Sequence, residues 1–91
     1  MEVKLSKRAQ SDLHKIAVYT EEMWGMEQRI KTGLQLKNTL EFLENYPECG
    51  HATSRIGIFI LVVPKLPFVF SYRLSHSKII VLQALHVKQN I

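Results

Sequence analysis

Ninety-one residues suffice for one small domain and leave no room for a second core or a separate cofactor-binding half. Apolar residues make up 46% and charged residues 22%, a balance that excludes a disordered chain. Twelve Lys and Arg against eight Asp and Glu leave a formal charge of +4, which favours an acidic partner without choosing among nucleic acid, protein and membrane surface.

Residues 1–5 alternate Val3 and Leu5 with Glu2 and Lys4, the period of a half-buried strand, and hold no apolar run of signal-peptide length. Ser6 is placed to cap a helix in which Ala9, Leu13, Ile16, Ala17 and Thr20 follow helical spacing up to Met23-Trp24. Gly25 suits the position past a helix end, where φ turns positive. A second helix is expected over residues 26–46, with Ile30, Gly33, Leu36, Leu40 and Leu43 on one face and Gly33 admitting a close approach of the two helices. Pro47 stops it, and the short turn at Gly25 folds the pair into an antiparallel hairpin.

After the turn Pro47-Glu48-Cys49-Gly50, strands are expected over residues 56–63, 68–74 and 78–87. Their short connections demand an antiparallel meander. The apolar stretch of residues 56–70 is broken by Pro64, Lys65 and Pro67 and is too short to span a membrane. The expected architecture is α+β in the order β-α-α-β-β-β, a helical hairpin packed on a curved, mainly antiparallel four-stranded sheet, in one domain over residues 1–91. A lone cysteine, Cys49, excludes an internal disulfide, and a cytoplasmic protein with no membrane contact is expected.

Cys49-Gly50-His51 offers two metal-ligating types, but a structural zinc needs four ligands, and His14, His76 and His86 lie far apart in sequence. No metal or cofactor is expected. No phosphate-binding glycine loop or serine-nucleophile turn occurs. Lys4, Lys7, Arg8 and Lys15 would suit a nucleic-acid module, but the strands lack a row of exposed aromatics, and Asp12, Glu21, Glu22 and Glu27 dilute the field.

Leu5-Ser6-Lys7-Arg8-Ala9, Asp12-Leu13 with Ile16 and Tyr19, Trp24-Gly25, Leu43, Pro47, Gly50, Gly57, Tyr72-Arg73 and Leu85-His86 follow one another across nearly the whole chain. Their order and spacing resemble the ParE/RelE superfamily of bacterial toxins from type II toxin–antitoxin systems, the ParE branch in particular. The resemblance implies a RelE/ParE-like fold and a toxin of growth arrest and plasmid stabilization, neutralised by a cognate acidic antitoxin that wraps it as helix and strand. Operator DNA would be met only through that antitoxin, in a toxin–antitoxin hetero-oligomer. ParE-like members inhibit DNA gyrase, whereas RelE-like members cut messenger RNA on the ribosome.

Cleaving RNA through its 2′-hydroxyl needs a base, a leaving-group acid and cationic stabilisation. RelE-like nucleases with a histidine carry it at the place of His86, followed by an aromatic hydroxyl, with an arginine at the start of the preceding strand. Here Val87 and, by a gapless match, Phe68 occupy those two places. The preferred reading is therefore gyrase inhibition by protein–protein binding, with His86 a structural imidazole. The alternative is a ribosome-dependent mRNA endonuclease using His86, Arg73 and Lys65; a third reading is an inactive relative serving only as antitoxin partner or co-repressor.

Strict alternation puts Ile80, Leu82, Ala84 and His86 on one face of the last strand, with Ile79, Val81, Gln83, Leu85 and Val87 on the other. Tyr72, Phe70 and Phe68 are expected against the hairpin, leaving Arg73 outside with Ser71 and Val69. The candidate partner-binding residues are Arg55, Lys65, Arg73, Lys78 and Lys88. ParE-like sequences often read Gly-x-Arg where this chain has Gly57-Ile58-Phe59, and Arg55 is the candidate substitute. Met23 and Trp24 are read as sealing the hairpin end against the sheet, with an exposed anchor as the alternative.

Overall fold

The computed structural model describes residues 1–88. Its elements run β1 (Glu2–Leu5), α1 (Lys7–Trp24), α2 (Met26–Asn45), β2 (His51–Ala52), β3 (Phe59–Val62), β4 (Phe68–Ser75) and β5 (Lys78–His86). The sheet order is β1-β5-β4-β3-β2; β1 lies parallel to β5 and the other pairs are antiparallel. The α+β layering agrees with expectation, but the sheet has five strands instead of four. The added strand, β2, pairs His51 with Ile60 and Ala52 with Phe59.

Local chemistry sets the helix ends. The Ser6 hydroxyl accepts from the Ala9 N–H at 3.0 Å, satisfying one of the free donors of the first turn. It also donates to the Leu82 carbonyl at 2.8 Å, while the Ser6 N–H donates to the Val81 carbonyl at 3.0 Å. One capping residue thus fastens α1 to β5. Gly25, at φ 92° and ψ 172°, ends α1 and starts α2 in a conformation that side chains resist.

The buried positions of α2 are Thr32, Leu36, Thr39 and Leu43. Ile30, expected on that face, is 56% exposed, and Gly33 is not a contact point, because a Cβ there would meet nothing within 4 Å. The threonines occupy core-facing positions because their hydroxyls are satisfied within the helix. Thr39 donates to the Gln35 carbonyl at 2.8 Å, and Thr32 accepts from the Gln28 amide at 3.1 Å.

The hairpin covers a core in which Leu43, Phe70, Tyr72, Ile79 and Val81 are fully buried. Each such side chain contributes about 1.5–3 kcal/mol by leaving water. Strict alternation fails in β5: Ser71 pairs with Gln83, but Tyr72 pairs with Val81, leaving Leu82 as an extra residue. Ile79 and Val81 therefore share the hairpin side with Ala84 and His86, which sit opposite Phe70 and Phe68. The extra residue lies where α1 begins, and the buried Asp12 carboxylate accepts the Ala84 N–H at 3.0 Å just beyond it.

The strand expected over residues 56–63 starts late. Residues 53–58 form a closed loop in which the Thr53 N–H donates to the Ile58 carbonyl and the Ile58 N–H to the Arg55 carbonyl, both at 3.1 Å, with Gly57 at φ 82°. Strand geometry resumes at Phe59. The connection from α2 to β2 is latched by the fully buried Tyr72, whose hydroxyl donates to the Pro47 carbonyl and accepts from the Gly50 N–H, each at 2.9 Å. A side chain at Gly50 would strike the Tyr72 ring, so close approach is what requires glycine there. Among the described residues, no helix is long and apolar enough to cross a membrane.

Candidate protein-interaction site

α1 carries its core-facing stripe past the point where the sheet supports it. Ala9, Asp12 and Thr20 are buried, but Tyr19 is 59% and Trp24 70% exposed, and Met23 is exposed beside them. A cavity of about 480 Å³ separates Trp24 from Leu66, Pro67 and Phe68, where a sealing contact was expected. The sealing role of Met23 and Trp24 is thus overturned: both side chains are exposed at the hairpin end. Sequence spacing does not reveal this, because the stripe continues in phase while the strands beneath it end.

A second cavity, of about 430 Å³, adjoins the first through Tyr19, Phe68 and His86 and is bounded by Asp12, Lys15, Ala84 and Lys88. Together they form a groove with an aromatic floor and a cationic margin. The Asp12 carboxylate brings little net charge, since it accepts the Arg8 Nε–H at 2.9 Å as well as the Ala84 N–H. Exposed aromatics beside charged groups are the composition of a protein-binding hot spot.

His86 lies on the groove wall, half-buried, edge-on to Phe68 with ring centroids 5.6 Å apart. Its Nδ1 accepts the Lys88 N–H at 3.1 Å, which assigns the ring proton to Nε2. Arg73 pairs with Ile80 and is exposed on the opposite face, beside Ser71 and Val69 as expected, though both of those are buried. Five residues of strand, about 16 Å, separate Arg73 from Phe68, the partner of His86. His86, Arg73 and Lys65 do not converge.

The five candidate partner-binding cations are spread along the sheet. Lys88, after β5, lines the groove, and Lys65, at φ 67° in the β3–β4 turn, precedes its lining residues Leu66 and Pro67. Lys78 lies at the other end of β5, opposite Ser75, about 23 Å away along the strand. Arg73 is near that end, and Arg55 projects from the 53–58 loop. Phe59, in place of the Gly-x-Arg arginine, is half-buried and stacks on Tyr72 with centroids 5.5 Å apart.

Burial pushes the Cys49 thiol above its ordinary range, and Cys49 packs against the core while His51 stands exposed on β2. Among the described residues, no three His, Cys, Asp or Glu side chains gather where they could hold a metal ion. Asp12 and Tyr19 entered the sequence reading through the family resemblance and the general charge balance, with no site role assigned.

The family model described as the ParE toxin of type II toxin–antitoxin systems, parDE, matches residues 3–91. Toxin ParE1 of Caulobacter vibrioides is 28% identical over 87 residues, covering 96% of this chain and 90% of that protein. A solved structure of the chromosomal ParDE system from P. aeruginosa superposes with a TM-score of 0.87 at 20% identity, covering 94% of this chain and 95% of the other.

Proposed function

The chain belongs to the ParE toxin family of type II toxin–antitoxin systems, and we propose that it arrests growth by binding DNA gyrase and is silenced by a cognate acidic antitoxin seated in the groove beside Trp24. The observation that carries the antitoxin reading is the groove itself: Tyr19, Trp24 and Phe68 with Lys15 and Lys88 at its margin. An amphipathic acidic segment would bury its apolar side on the aromatics and set carboxylates against the lysines. Arg55, Lys65, Arg73, Lys78 and Lys88 supply a wider field that steers such a partner and contacts the target.

Binding rather than bond cleavage is the mechanism in this reading. With Arg73 on the other face of the sheet from His86, the set His86, Arg73 and Lys65 is not gathered around one RNA phosphate. The chain works as one unit over residues 1–91 in the cytoplasm, and reaches operator DNA only through the antitoxin. Induction of the protein in bacteria tests this. Filamentation and DNA-damage signalling with protein synthesis initially intact are expected, and prompt collapse of translation with cut transcripts would refute it. Replacing Tyr19 and Trp24 by alanine should release the protein from its antitoxin while the fold persists.

A further inference from the structure

We propose that a third cavity, on the sheet face turned away from the helical hairpin, binds the phosphate group of a phosphomonoester. It measures about 560 Å³ and is lined by Arg8 and Arg55 together with Ser6, Ser54, Ser71 and Gln83, with no Asp or Glu on its wall. Ser71 and Gln83 face each other across β4 and β5, directly beside the extra residue Leu82.

Ser71 is only 3% exposed, and its hydroxyl finds no hydrogen-bond partner among the described residues. Folded proteins rarely leave such a group unpaired, and Ser71 forms part of the cavity wall. The other donors specify the occupant's charge. Arg55 makes no ion pair among the described residues, and Arg8 uses its Nε toward Asp12, which leaves the terminal guanidinium nitrogens available. Ser6 marks the positive end of the 18-residue α1.

Two guanidiniums and a helix N-terminus match a dianionic phosphate better than a single carboxylate. The volume exceeds that of phosphate alone and leaves space for the group it esterifies. The wall is also set in advance. In the 53–58 loop the Thr53 hydroxyl accepts the Arg55 N–H at 3.2 Å and donates to the Ile58 carbonyl at 2.9 Å, which fixes the Arg55 backbone beside the cavity while its side chain stays exposed.

Titration of the ¹⁵N-labelled protein with inorganic phosphate, and in parallel with a nucleoside 5′-monophosphate, tests the site by amide shifts. Saturable shifts are expected at Ser54, Arg55, Ser71 and Gln83. Tighter binding of the nucleotide is expected, and equal binding would overturn the ester assignment. Arg55→Gln, and separately Ser71→Ala, should weaken binding, the former about tenfold or more, with the remaining spectrum unchanged. Absence of saturable shifts at about 10 mM of either ligand, or shifts indifferent to Arg55→Gln, would overturn the proposal. The groove and the growth assay play no part in this experiment, so its failure would leave the toxin reading untouched.

Discussion

Removing one oxygen, in Tyr72→Phe, isolates the latch that holds the α2–β2 connection to the sheet. The ring stays buried and keeps its stacking on Phe59, while the Pro47 carbonyl and the Gly50 N–H lose their partner. An unsatisfied buried group costs about 1–3 kcal/mol. Because Pro47 and Gly50 are only half-buried, water recovers part of that cost, and the expected loss is about 2 kcal/mol. For a domain of this size that lowers Tm by roughly 8–16 °C. Urea unfolding should show the loss as a lower midpoint with an unchanged m-value. The phenol also gives the latch a pH signature. Burial raises its pKa above the ordinary value of 10.0. The folded state therefore holds its proton more tightly than the unfolded chain. Stability from this source is complete below about pH 10 and falls as pH rises through the folded-state value, with a slope of up to about 1.4 kcal/mol per pH unit. Tyr72→Phe should lose that part of the alkaline decline. A stability change under about 0.5 kcal/mol, or an alkaline profile identical to the parent's, would refute the reasoning.

Gly50→Ala should destabilise at least as much as Tyr72→Phe, because the new methyl meets a fully buried ring that has nowhere to move; thermal unfolding reads this directly. Asp12→Ala strips Arg8 and the Ala84 N–H of their partner and should cost about 2–3 kcal/mol in urea, mostly from the buried N–H since Arg8 is largely solvated. Lys65→Gly relieves a left-handed backbone and should raise stability by about 0.5–1 kcal/mol, yet weaken antitoxin binding measured by calorimetry if Lys65 steers the partner. Cys49 should react with iodoacetamide more slowly than a free thiol near neutral pH, because its raised pKa depletes the thiolate.

Periodicity and punctuation made the helices legible: Ser6 and Gly25 bracket α1, and Pro47 follows the end of α2. The strands after Pro64 and Ser77 were legible for the same reason. β2 was not, because two residues carry no period, and Gly57 lay inside what read as one apolar strand. The extra residue Leu82 leaves no compositional trace, yet it moves His86 into the row of Ile79 and Val81. Ile30 was assigned inward and Thr32 overlooked, because hydropathy does not register a hydroxyl satisfied inside its own helix. The groove depends on where the sheet stops beneath α1, and the Ser71 cavity on residues from four separate segments. Neither quantity is written in local pattern.

Purified protein added to gyrase and plasmid DNA, with ribosome-bound transcripts in a parallel reaction, tests most directly whether this fold acts by grip alone. Gyrase-dependent trapping of DNA breaks, undiminished in His86→Ala, with intact transcripts, is the predicted result. Transcript cleavage that requires both ribosomes and His86, with gyrase unaffected, would contradict it.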